Sequence, residues 1–291
     1  MNIKAMARLS LSRIGLVAVM AGSILASCDP TAALEAVTPV GEYQRTADIS
    51  YGPAARQVLD VYRPKSPDGS GTVAVFFHGG SWQSGSKADS RFLAEALTAR
   101  GVLVVIPDYR VYPEVQFPVF IEDAARAIGW AHGHAAEFGG DPRRIFVIGH
   151  SAGAHIAALA TLDARYLRAV GLTPRDVAGV IGIAGPYDFL PLADSIADIF
   201  AAAADPAATQ PISFAGPGAP PMLLLHGQAD VTVYPGNSTR LAAKLRDAGS
   251  PVRLVLYPGL GHLDIMLGLS SVLAGDGRMM NDIMAFLNTP L

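Results

Sequence analysis

The sequence predicts an α/β fold in which a mostly parallel central sheet carries helices on both faces. Short, wholly apolar runs rich in β-branched residues alternate with longer amphipathic runs, as buried parallel strands alternate with helices. Polar or glycine-rich loops directly follow several of the apolar runs, and ligands of such sheets bind beyond the carboxyl ends of the strands. Residues 43–291 suit a single domain of this kind.

The chain begins with a predicted leader of 27 residues that does not belong to the fold. Lys4, Arg8 and Arg13 form a basic start, and the apolar run 14–25 that follows is too short to span a bilayer. Cys28, the only cysteine, comes directly after this run and two small residues, which resembles the lipobox of bacterial lipoproteins. That resemblance implies cleavage before Cys28 and its acylation; an ordinary secretory signal beside an incidental cysteine is the alternative.

These interpretations predict a protein of the bacterial cell envelope that faces the periplasm or the exterior and is held to a membrane through lipidated Cys28. Residues 28–42 contain two prolines and little periodicity, so we expect a tether there. Removal of the three basic residues of the leader changes the formal net charge from −3 to −6. No basic cluster remains, which argues against a nucleic-acid partner. Acylation of Cys28 would leave no thiol for a disulfide or thiolate catalysis, and we predict neither a metal nor a cofactor.

The predicted elements follow in order along the chain. Residues 43–51 and 57–62, separated by Gly52-Pro53, are typical of an antiparallel hairpin at a sheet edge. Apolar runs predict buried strands at 73–77, 102–106 and 145–148, and we predict further strands at 179–183, 222–225 and 252–257. Apolar residues at helical spacing predict helices at 87–100, 117–134, 237–248 and 279–287, and an alanine-rich helix ending near 160.

The strongest chemical signal lies between the strand at 145–148 and the alanine-rich helix. It reads Gly149-His150-Ser151-Ala152-Gly153, a G-x-S-x-G. In a nucleophile elbow the serine occupies a sharp strand-to-helix turn with a strained backbone, and its hydroxyl lies above the sheet. We therefore predict Ser151 to be a nucleophile. The pentapeptide alone would also fit a glycine-rich turn with a solvated serine.

Two further strand ends supply the partners that a serine nucleophile needs. Asp230 follows the strand at 222–225, and His262 follows the strand at 252–257. The order Ser, Asp, His is that of the α/β-hydrolase triads. His262 would take the proton of Ser151 and later deliver it to the leaving group, and Asp230 would orient the imidazole.

The loop after the strand at 73–77 begins His78-Gly79-Gly80-Ser81-Trp82. We predict that the backbone N–H groups of Gly79, Gly80 and Ala152 form an oxyanion hole, because glycine lets the backbone itself approach a substrate. Trp82 and His150 are candidate substrate-binding residues. A structural aromatic is the alternative for Trp82, and local hydrogen bonding or packing is the alternative for His150.

Several other residues could be assigned to the site and are considered less favourable. His155 and His226 suit local hydrogen bonding or packing, and His78 suits a brace for the glycine loop. Asp188, after the strand at 179–183, is an alternative acid on a variant topology. Asp264 is too close to His262 in sequence to be its usual partner, and residues 108–110 suggest a structural polar cluster.

On these motifs the sequence resembles the α/β-hydrolase superfamily, and within it the carboxylesterase branch with an H-G-G-x-W oxyanion motif. That branch includes kynurenine formamidase-like, isoprenylcysteine methylesterase-like, and feruloyl and acetyl-xylan esterase-like enzymes. The resemblance covers nearly the whole domain, through residues 59–62, 78–87, 107–110, 138–142, 144–145, 149–156, 226–230 and His262. Ser81 stands where hormone-sensitive-lipase-like members usually carry a third glycine, which favours the H-G-G-x-W branch.

Residues 186–218 lie where such hydrolases carry a cap, and this insertion is small. Its apolar side chains would either line an acyl or alcohol pocket or bury an ordinary short helix: Phe189, Leu190, Leu192, Ile196, Ile199 and Phe200. We expect an open site for small to medium esters.

The sequence therefore predicts a serine esterase that cleaves carboxylic esters through an acyl-enzyme. Two alternatives stay open. An amidase or arylformamidase would use the same three residues on a harder leaving group. A non-catalytic envelope binding protein on a hydrolase fold would generally have lost one of them.

Overall fold

A computed structural model of the chain describes residues 34, 38, 39, 41, 43–273 and 275–289. The strands are β1 Tyr43–Ser50, β2 Val58–Pro64, β3 Val73–Phe77, β4 Leu103–Pro107, β5 Ile145–His150, β6 Gly179–Ile183, β7 Met222–Gly227 and β8 Val252–Tyr257. The α-helices are α1 Arg91–Thr98, α2 Val119–His134, α3 Ala152–Leu162, α4 Ala164–Arg168, α5 Asp194–Ala197, α6 Gly236–Asp247, α7 Asp264–Leu267 and α8 Arg278–Leu287. Short 3₁₀ segments connect several of them.

The strands form one sheet in the order β1-β2-β4-β3-β5-β6-β7-β8. β2 pairs antiparallel with β1 and with β4, and every later pairing is parallel. The predicted α/β-hydrolase fold, with an edge hairpin and a mostly parallel sheet, is confirmed. β5 lies between β3 and β6, so the loop that follows it emerges at the centre of the carboxyl edge.

Two apolar cores cover the two faces of the sheet because side chains alternate along each strand. On β3, Val73, Val75 and Phe77 face one core, and Ala74 and Phe76 face the other. The first core is closed mainly by α2, α3 and α6, and the second by α1 and α8. Strands with both faces buried read as continuous apolar runs, which is why their positions were predictable.

The helix predicted at 87–100 is divided in the structure. A 3₁₀ turn, Lys87–Ser90, precedes α1, and Ser86 caps it by accepting a hydrogen bond from the amide of Ala88 at 3.1 Å. The Lys87 ammonium donates to Asp48 at 2.6 Å and to Asp60 at 2.7 Å. These contacts between distant parts of the chain hold the turn apart from the helix.

The predicted leader and Cys28 lie outside the described residues. Of the predicted tether, Leu34 is only 3% exposed and packs in the second core, and the guanidinium of Arg91 donates to the carbonyl of Thr38 at 3.3 Å. No helix in the described part of the chain combines the length and the apolar character that crossing a membrane requires.

The insertion at 186–218 contains α5 and three 3₁₀ segments. Ile199 and Phe200 are buried in the first core, and Phe189, Leu192 and Ile196 pack against it. Leu190 is 42% exposed. The sequence allowed these side chains either to line a substrate pocket or to bury a short helix, and the structure shows that they pack short helical segments.

Candidate active site

Ser151 lies on the tight turn between β5 and α3, with φ 54° and ψ −122°. A non-glycine residue at such angles is strained, and it persists only because its surroundings hold it. A Cβ at Gly149 would lie 2.2 Å from the carbonyl oxygen of Gly153, and a Cβ at Gly153 would lie 2.1 Å from that of Phe77. The elbow therefore closes only with small residues on either side of the serine.

The structure brings Ser151, His262 and Asp230 together. His262 Nε2 lies 2.9 Å from Ser151 Oγ, and His262 Nδ1 lies 2.7 Å from Asp230 Oδ2. Because a carboxylate only accepts, Nδ1 carries the proton and Nε2 is left to accept from the serine hydroxyl. The arrangement can withdraw a proton from Ser151 while its oxygen attacks an electrophile.

The carboxylate of Asp230 is fully buried, and three hydrogen-bond donors contact it. Oδ1 accepts from the amides of Thr232 and Val233 at 2.9 Å each. Oδ2 faces His262 and also lies 3.3 Å from His226 Nε2. These contacts fix both oxygens, so the carboxylate presents one defined acceptor to the imidazole.

His226 lies beside this carboxylate. Its Nε2–H donates to the carbonyl of Val233 at 2.8 Å, and its Nδ1 accepts from the hydroxyl of Ser238 at 2.7 Å. Burial lowers the pKa of His226, so the ring is neutral at physiological pH. The sequence suggested local hydrogen bonding for this histidine; its proximity to Asp230 was not foreseen.

The loops that carry Asp230 and His262 are in close backbone contact. A Cβ at Gly227, three residues before Asp230, would lie 2.2 Å from the carbonyl oxygen of Leu260. The amide of Ala229 donates to that carbonyl at 3.0 Å. This contact between the ends of β7 and β8 sets the position of the imidazole over the elbow.

The glycine loop after β3 adopts a tightly wound conformation. Gly80, Ser81 and Trp82 all have positive φ, and the amides of Gln83 and Ser84 donate to the carbonyl of Gly80 at 2.9 and 3.0 Å. Its first residue, His78, donates from Nδ1 to the carbonyl of Gly79 at 2.7 Å. Burial lowers the pKa of His78 to about 4, so this ring is neutral.

The candidate oxyanion donors border the serine. Gly79 and Gly80 line the cavity in front of Ser151, and Ala152 is the first residue of α3. A Cβ at Gly79 would lie 3.2 Å from the Cβ of Ser151. Within the described residues, none of the amides of Gly79, Gly80 and Ala152 donates a backbone hydrogen bond, which leaves them free for a ligand.

Trp82 is only 4% exposed and does not line the cavity over Ser151. Its Nε1–H donates to His155 Nδ1 at 3.1 Å, and its ring stacks on Phe189 with centroids 5.8 Å apart. His155 also bonds the carbonyl of Thr209 at 2.8 Å through Nε2. In this structure Trp82 therefore joins the glycine loop to the insertion, which is the structural alternative considered for it.

His150 does line the cavity, and it also contacts the loop of His262. Its Nε2–H donates to the carbonyl of His262 at 3.2 Å, and the two rings lie 4.9 Å apart. Burial, with the neighbouring His262, lowers the pKa of His150 to about 3. A neutral ring here holds the backbone of His262, and contact with a substrate stays a prediction.

The other carboxylates considered lie elsewhere. Asp188 pairs with Arg240, and Asp264 accepts from the amide of Gly261 at 2.8 Å. Asp108 accepts from the amide of Lys87 at 2.7 Å. Among the described residues, Asp230 supplies the one carboxylate that the structure pairs with His262.

The cavity in front of Ser151 has a volume of about 330 Å³. Its apolar wall comes from Phe76, Phe92, Leu263 and Met266, and its polar wall includes Ser81, Ser84, Asp89, Ser90 and Thr232. The sequence did not point to Asp89 or Thr232. Their only signal was position: Asp89 lies at the start of the helix predicted at 87–100, and Thr232 lies two residues after Asp230.

Comparison with known proteins shows which family the chain resembles. The BD-FAE family model matches residues 59–245. The chain is 30% identical over 262 residues to isoprenylcysteine alpha-carbonyl methylesterase of Arabidopsis thaliana, covering 82% of this chain and 61% of the plant protein. It is 31% identical over 274 residues to esterase LipC of Mycobacterium tuberculosis, covering 84% and 65% respectively.

A solved structure supports the same relationship. The butyrate-bound esterase Est2 of Thermogutta terrifontis has a TM-score of 0.68 and 26% identity, over 84% of this chain and 93% of that chain. The chain spans about half to two thirds of the length of the curated relatives it matches. Because the family model covers more than half of the chain, the protein belongs to the BD-FAE family, within the α/β-hydrolase fold.

Proposed function

We propose that this protein hydrolyses carboxylic esters of small to medium acyl groups through an acyl-enzyme on Ser151. One observation carries the proposal: a hydrogen-bonded chain runs from Ser151 Oγ through His262 to the buried Asp230, and it opens into a cavity. The esterase names of the relatives support the same reaction class. The cavity, about 330 Å³, suits a small or medium ester.

In the first half-reaction, Ser151 Oγ attacks the ester carbonyl carbon while His262 Nε2 takes the hydroxyl proton. The carbonyl oxygen becomes an oxyanion, and the imidazolium is stabilised by Asp230. Collapse of the tetrahedral intermediate breaks the bond to the alcohol oxygen, which receives the proton from His262. In the second half-reaction a water repeats these steps on the acyl-enzyme and releases the acid.

The amides of Gly79, Gly80 and Ala152 would hold the oxyanion. They belong to a wound loop and to a helix N-terminus, so they need no rearrangement as charge develops. Loss of one such donor typically costs about 3–4 kcal/mol of transition-state stabilisation.

The location in the envelope and the lipid on Cys28 belong to the same proposal and rest on residues 1–28 alone. Mass spectrometry of the protein purified from its membrane tests both the cleavage before Cys28 and the acylation of its thiol.

A fluorophosphonate probe tests the nucleophile. We expect it to label the wild-type protein and the exposed-serine control Ser66→Ala, but not Ser151→Ala. The same variant should lose at least about ten-thousandfold in kcat on p-nitrophenyl acetate, because the nucleophile and its base act as a unit. Labelling that survives Ser151→Ala would reject the assignment.

A substrate panel separates the alternatives. We expect p-nitrophenyl acetate and butyrate to be turned over faster than an arylformamide or acetylated xylan. Preference for the arylformamide would assign the amidase alternative to the same residues. Absence of both labelling and turnover would favour a non-catalytic binding protein.

A further inference from the structure

The cavity in front of Ser151 contains one carboxylate that the proposed reaction does not use. Asp89 belongs to the 3₁₀ turn Lys87–Ser90, and it is among the residues that line the cavity together with Ser151 and His262. It is partly buried, so water screens its charge only in part.

Among the described residues, none pairs with the carboxylate of Asp89. Its backbone amide donates to the carbonyl of Ser86 at 3.0 Å, but within the described residues its carboxylate makes neither a hydrogen bond nor an ion pair. Two cationic side chains near the glycine loop have other partners. Lys87 Nζ lies between Asp48 and Asp60, and Arg56 donates to the carbonyls of Tyr109 and Gly85 at 2.8 and 2.7 Å.

No lysine or arginine is among the described residues that line the cavity. His78 and His150 are neutral at physiological pH, because burial lowers their pKa values to about 4 and about 3. The other polar groups are hydroxyls, such as those of Ser84 and Thr232. The described lining therefore contains the carboxylate of Asp89 without a lysine or arginine to oppose it.

We propose that Asp89 is a specificity-determining residue that selects esters carrying a positive charge on a group that lies beside it in the cavity. The inference rests on the proposed esterase function and adds the class of substrate. A cation beside Asp89 gains a Coulombic interaction that an uncharged group of the same shape lacks, and an anionic group is repelled.

The interaction is present in the ground state and in the transition state alike, since Asp89 does not contact the reacting atoms. It therefore lowers KM for the cationic ester and leaves kcat nearly unchanged. Added salt screens the attraction, so the preference should weaken as ionic strength rises.

The test compares matched substrates on the full-length protein. One pair places the charge on the alcohol: acetylcholine and its uncharged carbon isostere 3,3-dimethylbutyl acetate. The second pair places it on the acyl group: the ethyl esters of 4-(trimethylammonio)butanoate and 5,5-dimethylhexanoate. The variants are Asp89→Asn, which keeps shape and removes charge, and Asp247→Asn, which removes an exposed carboxylate at the end of α6.

We expect wild type and Asp247→Asn to prefer the cation of at least one pair by about fivefold in kcat/KM, the gain from one partly screened ion pair. The preference should lie in KM, shrink in high salt and disappear in Asp89→Asn. An equal preference in wild type and Asp89→Asn, or no preference in either pair, would overturn the proposal. Turnover of the neutral esters by wild type but not Ser151→Ala tests the esterase function separately, and its absence would overturn both.

Discussion

At the scale of single residues, the site depends on how one carboxylate is held. Asp230 is buried and accepts from two backbone amides and from His262, so its second oxygen faces the imidazole in a fixed direction. Asp188, the alternative acid, is one-third exposed at its side chain and pairs with Arg240. A buried, fully bonded acceptor can orient an imidazole, whereas a solvated carboxylate with another partner cannot.

Replacement of these two residues tests the difference. In Asp230→Asn the amide can donate toward His262 Nδ1, which places the imidazole proton on Nε2 and removes the base from Ser151. We expect kcat on p-nitrophenyl acetate to fall by about a thousandfold or more. Asp188→Asn should stay within about twofold of wild type, since it loses only an exposed ion pair. A larger loss in Asp188→Asn than in Asp230→Asn would reverse the assignment of the acid.

At the scale of elements, the packing of α3 against β3 decides where the serine lies. α3 begins directly after Ser151, and its second residue, Gly153, touches the carbonyl oxygens of Phe77 and His78. Backbone atoms cannot rotate away as a side chain can. The closeness of this contact places the elbow beside the glycine loop that follows β3.

Alanine substitutions at two helical glycines test this contact. A Cβ at Gly153 would lie 2.1 Å from Phe77 O and 2.4 Å from His78 O, so Gly153→Ala should lower the free energy of unfolding by about 3 kcal/mol. Gly133, in α2, is exposed, and a Cβ added there would have no neighbouring atom within 4 Å. Gly133→Ala should therefore stabilise the fold by about 0.5–1 kcal/mol through helix propensity. Urea unfolding monitored by circular dichroism gives both values; equal effects at the two sites would contradict the close approach.

At the scale of the whole molecule, the fold holds several histidines in the neutral form. Burial lowers the pKa of His78 and of His155 to about 4 and that of His150 to about 3, below the ordinary value of 6.5. Burial also lowers the pKa of His226. Between these values and 6.5 the unfolded chain binds more protons than the folded one, so folding stability must rise with pH over that window.

The pH dependence of unfolding checks this consequence. The stabilisation from the neutral histidines is fully present above pH 6.5 and is lost as the pH falls toward 4. With three histidines the slope should approach about 4 kcal/mol per pH unit below pH 6. His155→Gln should reduce this slope by about 1.4 kcal/mol per pH unit, which is the contribution of one proton. His134→Gln, at an exposed site, should leave the slope unchanged. A slope unaffected by His155→Gln would show that this ring is protonated in the folded state.

An element could be predicted from the sequence where its position depends on neighbouring residues, and not where it depends on contacts between distant ones. β3 and β6 lie where their apolar runs predicted them, because a strand that is buried on both faces has apolar residues at consecutive positions. The predicted start of α1 was wrong by four residues, because the ion pairs of Lys87 with Asp48 and Asp60 involve residues far apart in sequence. Trp82 could not be assigned between pocket and support until its contact with His155 was known.

The sequence by itself determined the order of strands and helices, the elbow around Ser151 and the strand ends that carry the polar residues. These features depend on hydrophobic periodicity, on small residues beside the serine and on motif spacing, which are all local properties of the chain. Only the tertiary structure decided that Ser151, His262 and Asp230 meet within hydrogen-bonding distance, that His226 lies beside Asp230, and that Asp89 lines their cavity. Hydrogen bonds and Coulombic interactions depend on distances in space, and those distances follow from the packing of the sheet and its loops as a whole.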